Sequence, residues 1–350
     1  MTSVEKQHAV FMKGLGYCLI VAEVSANHKQ SIEKAEAIIR AAAAAGADAV
    51  KLQTYTADTL TIPCDNEYFR IKGTLWEGRT LYDLYQEAYT PWEWHPRLMA
   101  LANDLGLACF STPFDATAVD FLENLNVPCH KVASFEIVDI PLLKKIATTG
   151  KPVIMSTGMA SLAEIDEAVR TLRENGTENL TLLKCTSAYP APPEEINLRA
   201  IPHLAETFAC PAGLSDHTMG SAVAVAAVAL GATVIEKHFT LSRADGGPDS
   251  AFSMEPNEFG RMVQDIRTVE KAMGRVTCSL TEKEKSSVVF RRSLFVVEDI
   301  KRGEAFTEKN VRSIRPGHGL HTRYFAVVLG RHAAKDITRG TPMSWDICGW

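Results

Sequence analysis

The sequence is short of several features that would settle its class at once. No apolar run approaches the length of a membrane span. The opening residues Met-Thr-Ser-Val-Glu-Lys-Gln-His lack the basic-then-apolar pattern of a secretory signal. Positive charge is not in excess: 37 Lys and Arg face 42 Asp and Glu, for a net charge of −5. That balance gives no reason to expect nucleic acid or a membrane surface as partner, so any basic cluster must be local and purposeful. The 8 cysteines are scattered without a Cys-x-x-Cys pair, several inside apolar runs, as small core residues are. A reducing, cytoplasmic compartment fits this usage. Also missing is a Gly-x-Gly-x-x-Gly fingerprint, which leaves the doubly wound open sheet without support.

What is present is a repeated alternation of apolar strand-like and helical runs. The strand-like runs begin at Cys18, Asp48, Leu107, His130, Pro152, Leu180, Phe208 and Ala232. A helical segment follows each, for example from a Ser31 cap to Ala45, or over 116–125, 140–148, 162–175 and 219–231. Eight such units over about 260 residues predict a (β/α)8 TIM barrel. The connection over 56–89 is far longer than its peers and rich in Trp and Tyr. It reads as a substrate loop, a small core of its own, or a subunit contact. After Arg275 the texture turns polar, then short β-like runs appear at Ser293-Leu-Phe-Val-Val and Thr341-Pro-Met-Ser-Trp. The expected organisation is a barrel over 1–275, a linker over 276–285 and a small β-rich domain over 286–350.

Two histidines carry the sharpest chemical signal. His217 in Gly213-Leu-Ser-Asp-His-Thr and His238 in Glu236-Lys-His-Phe-Thr each stand near the C-terminal end of a strand. In a parallel barrel those ends converge on one face, where two imidazoles suit a divalent metal with open positions. The competing reading is a helix start capped by Ser215 or Asp216, with His217 beside it. In Asp48-Ala-Val-Lys51-Leu-Gln53, alternation sets Lys51 and Gln53 opposite Val50 and Leu52. A buried ammonium needs an anionic partner. Lys131 repeats the theme, and the hydroxyls Thr112, Ser134, Ser156 and Ser215 lie near strand ends, together describing a phosphate or carboxylate pocket. Glu23 and Glu136 join the same face, as acid–base groups, sugar ligands or neutralisers of the lysines.

These motifs resemble one family. Ile20-Val-Ala-Glu-Val-Ser-Ala-Asn-His, Gly46-Ala-Asp-Ala-Val-Lys-Leu-Gln-Thr, Ser156-Thr-Gly-Met, the two histidine motifs and Asp245-Gly-Gly-Pro-Asp249 look like the sialic acid synthase family, in order and nearly end to end. The C-terminal region resembles the type III antifreeze-like (β-clip) fold. The family condenses phosphoenolpyruvate with an N-acylated amino sugar and releases phosphate. Lys72-Gly-Thr-Leu-Trp-Glu-Gly, Leu81-Tyr-Asp-Leu-Tyr and Thr90-Pro-Trp-Glu-Trp look most like its pseudaminic acid branch, whose sugar is 2,4-diacetamido-2,4,6-trideoxy-L-altropyranose. A Trp- and Tyr-rich loop suits that ligand, which has a methyl in place of a hydroxyl.

The resemblance implies His217 and His238 as ligands of Mn2+, with Mg2+ or Co2+ as alternatives. It implies Lys51, Thr112, Lys131, Ser134, Ser156, Ser187 and Ser215 around phosphoenolpyruvate, Ser187 standing where many relatives have Asn. Glu23, Gln53, Glu136, Tyr189 and Asp249 would face the sugar and the reacting centre, Glu23, Glu136 and Asp249 as catalytic carboxylates. Arg315, in Arg-Pro-Gly-His-Gly, resembles the arginine that reaches into the partner's barrel, which implies a domain-swapped homodimer. The rival readings are the same reaction on N-acetylmannosamine or a legionaminic acid precursor, a metal-dependent barrel aldolase or isomerase, and a non-catalytic carbohydrate-binding protein.

Overall fold

The computed structural model describes residues 16–349. The short lead-in without a secretory signal expected over the first residues falls almost wholly outside them. Eight strands, β1 (Leu19–Glu23), β2 (Ala49–Thr54), β3 (Ala108–Pro113), β4 (His130–Val132), β5 (Val153–Ser156), β6 (Leu180–Cys185), β7 (Ala212–Asp216) and β8 (Val234–His238), close a parallel barrel in sequence order. The helices between them start where the sequence offers caps. Ser31 Oγ accepts from Lys34 N, Asp115 from the N–H groups of Thr117 and Ala118, and Ser161 from Glu164 N within a capping box. Among the described residues, no helix is long and apolar enough to cross a membrane.

A period of two runs through every strand and divides the barrel. The outward set, including Ile20, Val50, Leu52, Val132, Met155, Leu182 and Ile235, packs with the helices in the main core. The inward set, Leu19, Val21, Ala49, Ala108, Phe110, Cys129, Ile154, Leu183 and Val234, fills a second apolar cluster. Continued toward the strand C-termini, the inward phase turns polar: Glu23, Lys51, Thr112, Lys131, Ser156, Cys185, Ser215, Glu236 and His238. A packed apolar layer thus underlies a ring of polar side chains, as barrel enzymes require. Gly213 belongs to the same phase. A Cβ there would stand 2.3 Å from the Val234 carbonyl oxygen and 2.9 Å from Leu183 Cδ2, so only glycine fits at this approach.

The structure corrects three expectations. Phe208 does not open a strand: it ends the helix Ala200–Phe208, where Ile201, Leu204 and Phe208 share a buried face at helical spacing. The strand starts at Ala212, so Gly213–Asp216 lies within β7, and Glu236–His238 likewise ends β8. The next helix begins at Ala222, and neither Ser215 nor Asp216 caps it. Asp216 is occupied elsewhere. Its Oδ1 accepts from Thr218 N (2.9 Å) and Oγ1 (2.7 Å), and its Oδ2 meets Lys237 Nζ at 2.7 Å. This buried clamp braces the turn on which His217 stands. The long connection after β2 forms two short helices, Ala57–Leu60 and Leu81–Ala88.

The chain divides into two compact units, up to Gly274 and from Arg275. In the second, β9 (Ser293–Val296) pairs antiparallel with β10 (Val311–Ile314), and β11 (His332–Ala333) with β12 (Cys348–Gly349). Leu294, Val296, Ile300, Phe306, Val311 and Met343 form part of its core. The run Thr341–Trp345 is not a strand. It makes a single bridge from Pro342 to Phe295, flanked by Val296 N donating to the Thr341 carbonyl and Met343 N donating to the Leu294 carbonyl, both at 2.9 Å, before the chain turns into the helical turn Trp345–Ile347. The polar stretch before β9 holds one helical turn, Glu282–Lys285, capped by Thr281.

Candidate active site

A cavity of about 390 Å3 opens at the C-terminal ends of the strands. Of the residues singled out from the sequence, Lys51, Gln53, Lys131, Ser134, Glu136, Ser156, Tyr189, Ser215, His217, His238 and Asp249 line it. The cationic floor rests on strand register. Glu23 is opposite both Lys51 and His238, and Ser215 is opposite Glu236. Lys51 Nζ lies 2.5 Å from Glu23 Oε2, 3.5 Å from Glu236 Oε1 and 3.3 Å from Thr112 Oγ1. Ser215 Oγ donates to Glu236 Oε1 at 3.1 Å. Lys131 Nζ donates to Ser156 Oγ (2.6 Å) and the Val132 carbonyl (2.8 Å). Beside it, Ser134 Oγ accepts from Gly158 N at 3.1 Å. A Cβ on Gly158 would collide with the hydroxyls of Ser187 and Ser134, at 2.4 and 2.7 Å, so the Ser-Thr-Gly-Met glycine keeps a hydroxyl-lined recess open. Glu23, Thr112 and Ser187 are not among the lining residues; Glu23 and Thr112 meet the cavity through Lys51, and Ser187 through the recess at Gly158.

Electrostatics set these groups against one another. Burial pushes Glu23 up to about 7 despite Lys51, because Glu236 competes for the same ammonium. Burial alone would also raise Glu236, but Lys131 and Lys51 outweigh it and hold that carboxylate below its usual range. Lys51 is held above the ordinary lysine value, since Glu23 and Glu236 overcome its own desolvation. Lys131 is lowered by burial. Glu136, with a buried Oε2 that no group among the described residues satisfies, is pushed by desolvation to about 7. Two floor lysines, with surplus carboxylates nearby, are prepared for an anionic ligand and for proton transfer near neutrality.

His217 and His238 approach with ring centroids 5.3 Å apart. His217 Nδ1 is 2.9 Å from the Thr186 carbonyl, which fixes the proton on Nδ1 and leaves Nε2 as a lone pair. Desolvation holds His238 neutral, well below its ordinary range, and its buried Nδ1 has no hydrogen-bond partner among the described residues. Burial alone would lower His217 as well, but its contact with Cys185 raises it, so His238 is the neutral member of the pair; once His217 gives up its extra proton, the two imidazoles fit a divalent cation completed by substrate or water oxygens. No cluster of three or more His, Cys, Asp or Glu suited to a metal occurs among the described residues, so the protein's share would be these two nitrogens.

Tyr189 stacks on His217 at 4.4 Å and lies 5.8 Å from Trp76, whose Nε1 donates to the Pro248 carbonyl at 3.0 Å. Trp76 thus ties the long connection across the cavity. Tyr55, Ile71, Leu81, Tyr85 and Phe114 give the same cavity an apolar wall. Sequence reasoning singled out neither Ser25, Trp76 nor Cys185 as site residues, and it omitted Glu236. The signal for Glu236 was available: it lies two residues before His238 in one strand and must share its face. Arg315 is an exposed residue of the second unit. A separate cavity of about 660 Å3 lies at the opposite, N-terminal ends of the strands, lined by residues such as Cys18, Pro152 and Arg173 and by none of the residues singled out above.

Comparison with known proteins agrees with this geometry. The chain is 46% identical over 331 residues to the pseudaminic acid synthase of Helicobacter pylori, covering 93% of this chain and 96% of that one. It is 40% identical to the N,N'-diacetyllegionaminic acid synthase of Campylobacter jejuni, covering 91% and 96%. The solved N-acetylneuraminic acid synthetase from Leptospira borgpetersenii, in complex with citrate, superposes with a TM-score of 0.69 at 30% identity, covering 78% of this chain and 90% of that one. The SAF domain matches residues 291–346, within the second unit. The NeuB family matches residues 38–277, spanning most of the barrel with its lysines and both histidines, and the chain belongs to that family.

Proposed function

We propose that this chain is a pseudaminic acid synthase, condensing phosphoenolpyruvate with 2,4-diacetamido-2,4,6-trideoxy-L-altropyranose to give pseudaminic acid and phosphate. The observation that carries the reading is the division of the cavity into a cationic, hydroxyl-rich floor and an apolar wall that includes Trp76 and Tyr85. The floor suits a phosphate and a carboxylate. The wall suits a sugar carrying a methyl and two acetamido groups. The rank of the relatives points the same way, with the pseudaminic acid enzyme above the legionaminic one.

In this reading Lys51 and Lys131 bind the anionic ends of phosphoenolpyruvate, with Ser134, Ser156, Ser187, Ser215 and Thr112 supplying or supporting hydroxyl contacts. Gln53 and Tyr189 orient the open-chain sugar. A divalent cation on His217 and His238, Mn2+ in the first instance, would supply Lewis-acid polarisation of the aldehyde oxygen. C3 of phosphoenolpyruvate bonds to the aldehyde carbon, and C2 becomes an oxocarbenium centre. Glu136 and Asp249 in the cavity lining and Glu23 behind Lys51 are the carboxylates assigned to manage protons, with Glu236 beside them in the lining, and Glu23 and Glu136, both near 7, exchange them readily at neutral pH. Water adds at C2, and cleavage of the C2–O bond expels phosphate. Arg315 would act from the partner subunit of a domain-swapped homodimer, its planar fork suited to an acetamido carbonyl.

The test is a panel of three sugars, each supplied with phosphoenolpyruvate and Mn2+: the altropyranose above, the legionaminic acid precursor and N-acetylmannosamine. Phosphate release with the altropyranose at the highest kcat/KM supports the reading. A preference for either other sugar overturns the substrate, and no phosphate release with any overturns the reaction.

A further inference from the structure

Ser25 stands in the Glu23-Val-Ser-Ala-Asn-His motif, next to the site but assigned no part in it above. Its backbone is left-handed, with φ 45°. A residue with a Cβ is strained there, and glycine is not. The strain coincides with two contacts. The Ser25 N–H donates to Glu23 Oε1 at 3.0 Å, and its hydroxyl donates to Asp249 Oδ2. Asp249 Oδ2 is also 3.4 Å from Ala26 N, whereas its Oδ1 has no partner among the described residues. Ser25 and Asp249 both line the cavity. Behind them Asn27, fully buried, fastens the loop that carries Asp249. It donates to the Phe239 carbonyl and to Ser253 Oγ, both at 2.9 Å, and accepts from Ser250 Oγ at 3.1 Å. Ser253 Oγ in turn donates to the Asp249 carbonyl at 2.7 Å.

We propose that Ser25 is a positioning residue for the reaction: its hydroxyl, presented by a left-handed backbone, holds one oxygen of Asp249 so that the other faces the bound sugar, while its N–H holds Glu23 against Lys51. One short turn therefore sets the spacing of two carboxylates that arrive from opposite ends of the barrel sequence. Strain at such a position persists where surrounding contacts over-determine it, and those contacts are the carboxylates themselves.

The inference rests on the synthase reading, so the wild-type protein is the first arm. If it releases no phosphate from phosphoenolpyruvate with any sugar of the panel, the reading fails and Ser25 is not at issue. Given wild-type turnover, Ser25→Gly and Ser25→Ala are compared for kcat, KM and melting temperature. Glycine keeps the backbone without strain and removes the hydroxymethyl group, whereas alanine removes only the hydroxyl and keeps the strain. We expect kcat to fall at least tenfold in both, with the phosphoenolpyruvate KM within twofold of wild type and no loss of melting temperature in Ser25→Gly. In Asp249→Asn protein, assayed in excess to read residual rates, adding Ser25→Gly should lower the rate less than twofold. Wild-type kcat in Ser25→Gly, or full multiplication of the two losses in the double variant, overturns the proposal.

Discussion

Replacing Lys51 by Met tests both halves of the site, because the ammonium serves two buried carboxylates before any substrate arrives. Its distances are 2.5 Å to Glu23 and 3.5 Å to Glu236. Glu23 already sits at about 7, so near neutral pH most of the cost of burying it is present in the wild type. Glu236 is different: it is held below the ordinary 4.5, in part by Lys51. Without that charge its carboxyl rises and takes up a proton. At pH 7 the cost has a ceiling of about 3.4 kcal/mol, at about 1.4 kcal/mol per pH unit above 4.5. At pH 5.5 the same ceiling is about 1.4 kcal/mol. The sign follows from the raised value. A carboxyl whose folded pKa exceeds its unfolded one contributes fully below the unfolded value and loses that contribution as pH rises. The stability gap between wild type and Lys51→Met should therefore widen from pH 5.5 to pH 7, as measured by urea denaturation. In parallel, phosphoenolpyruvate should bind more weakly by about 2–5 kcal/mol, the range for losing one partner of a buried charge pair. A gap that stays flat with pH would refute the carboxylate argument. An unchanged affinity for phosphoenolpyruvate in the folded variant would refute the placement of that substrate on Lys51.

Three further outcomes are expected. Chelation should abolish phosphate release and Mn2+ restore it, and His238→Ala protein should show a lower bound-metal content by elemental analysis; full activity in excess chelator would exclude the cation. Gly213→Ala drives a Cβ to 2.3 Å from the Val234 carbonyl and should cost about 3 kcal/mol in a denaturation experiment, with a near-wild-type melt ruling out the close β7–β8 approach. Mixing Arg315→Ala with His238→Ala protein, under conditions of subunit exchange, should recover part of the activity if the arginine acts across a dimer; silence in the mixture would return Arg315 to its own subunit or to the surface.

The barrel was legible because each strand carries its period of two in the sequence. Val50 and Leu52 against Lys51 and Gln53 states which side chains meet the helices and which meet the mouth. Eight repeats of that pattern leave little freedom in topology. Boundaries were less legible where apolar residues obey two periods at once. Phe208 opens an apolar run that reads as strand, yet with Ile201 and Leu204 it makes one face of a helix, and the longer-range spacing prevails. Thr341–Trp345 shows a related limit: the run pairs with β9 only at Pro342 and then turns into the helical turn Trp345–Ile347, so β-like composition over five residues does not by itself make a strand.

The site was legible in proportion to how far each role depends on residue type. A lysine inside a strand or a histidine at its end advertises itself, because few structural duties require one there. Glu236 and Ser25 did not, because their roles arise from register and backbone angle. Glu236 has meaning only once β8 is set beside β7 and β1, so that one carboxylate lies between Lys51 and Ser215. Ser25 has meaning only with a positive φ, which turns its hydroxyl away from a cap and onto Asp249 of a loop more than two hundred residues later. Both facts are long-range, yet each is anchored by a local rule, alternation in the first case and the rarity of left-handed serine in the second. Within this chain the motif glycines obey the same logic. Gly158 and Gly213 stand where an added Cβ would meet a hydroxyl or a carbonyl, the first beside the polar ring and the second in the apolar layer that supports it. The spacing of this ring is thus set as much by small residues that let the strands and loops close in as by the charged ones that face the ligand.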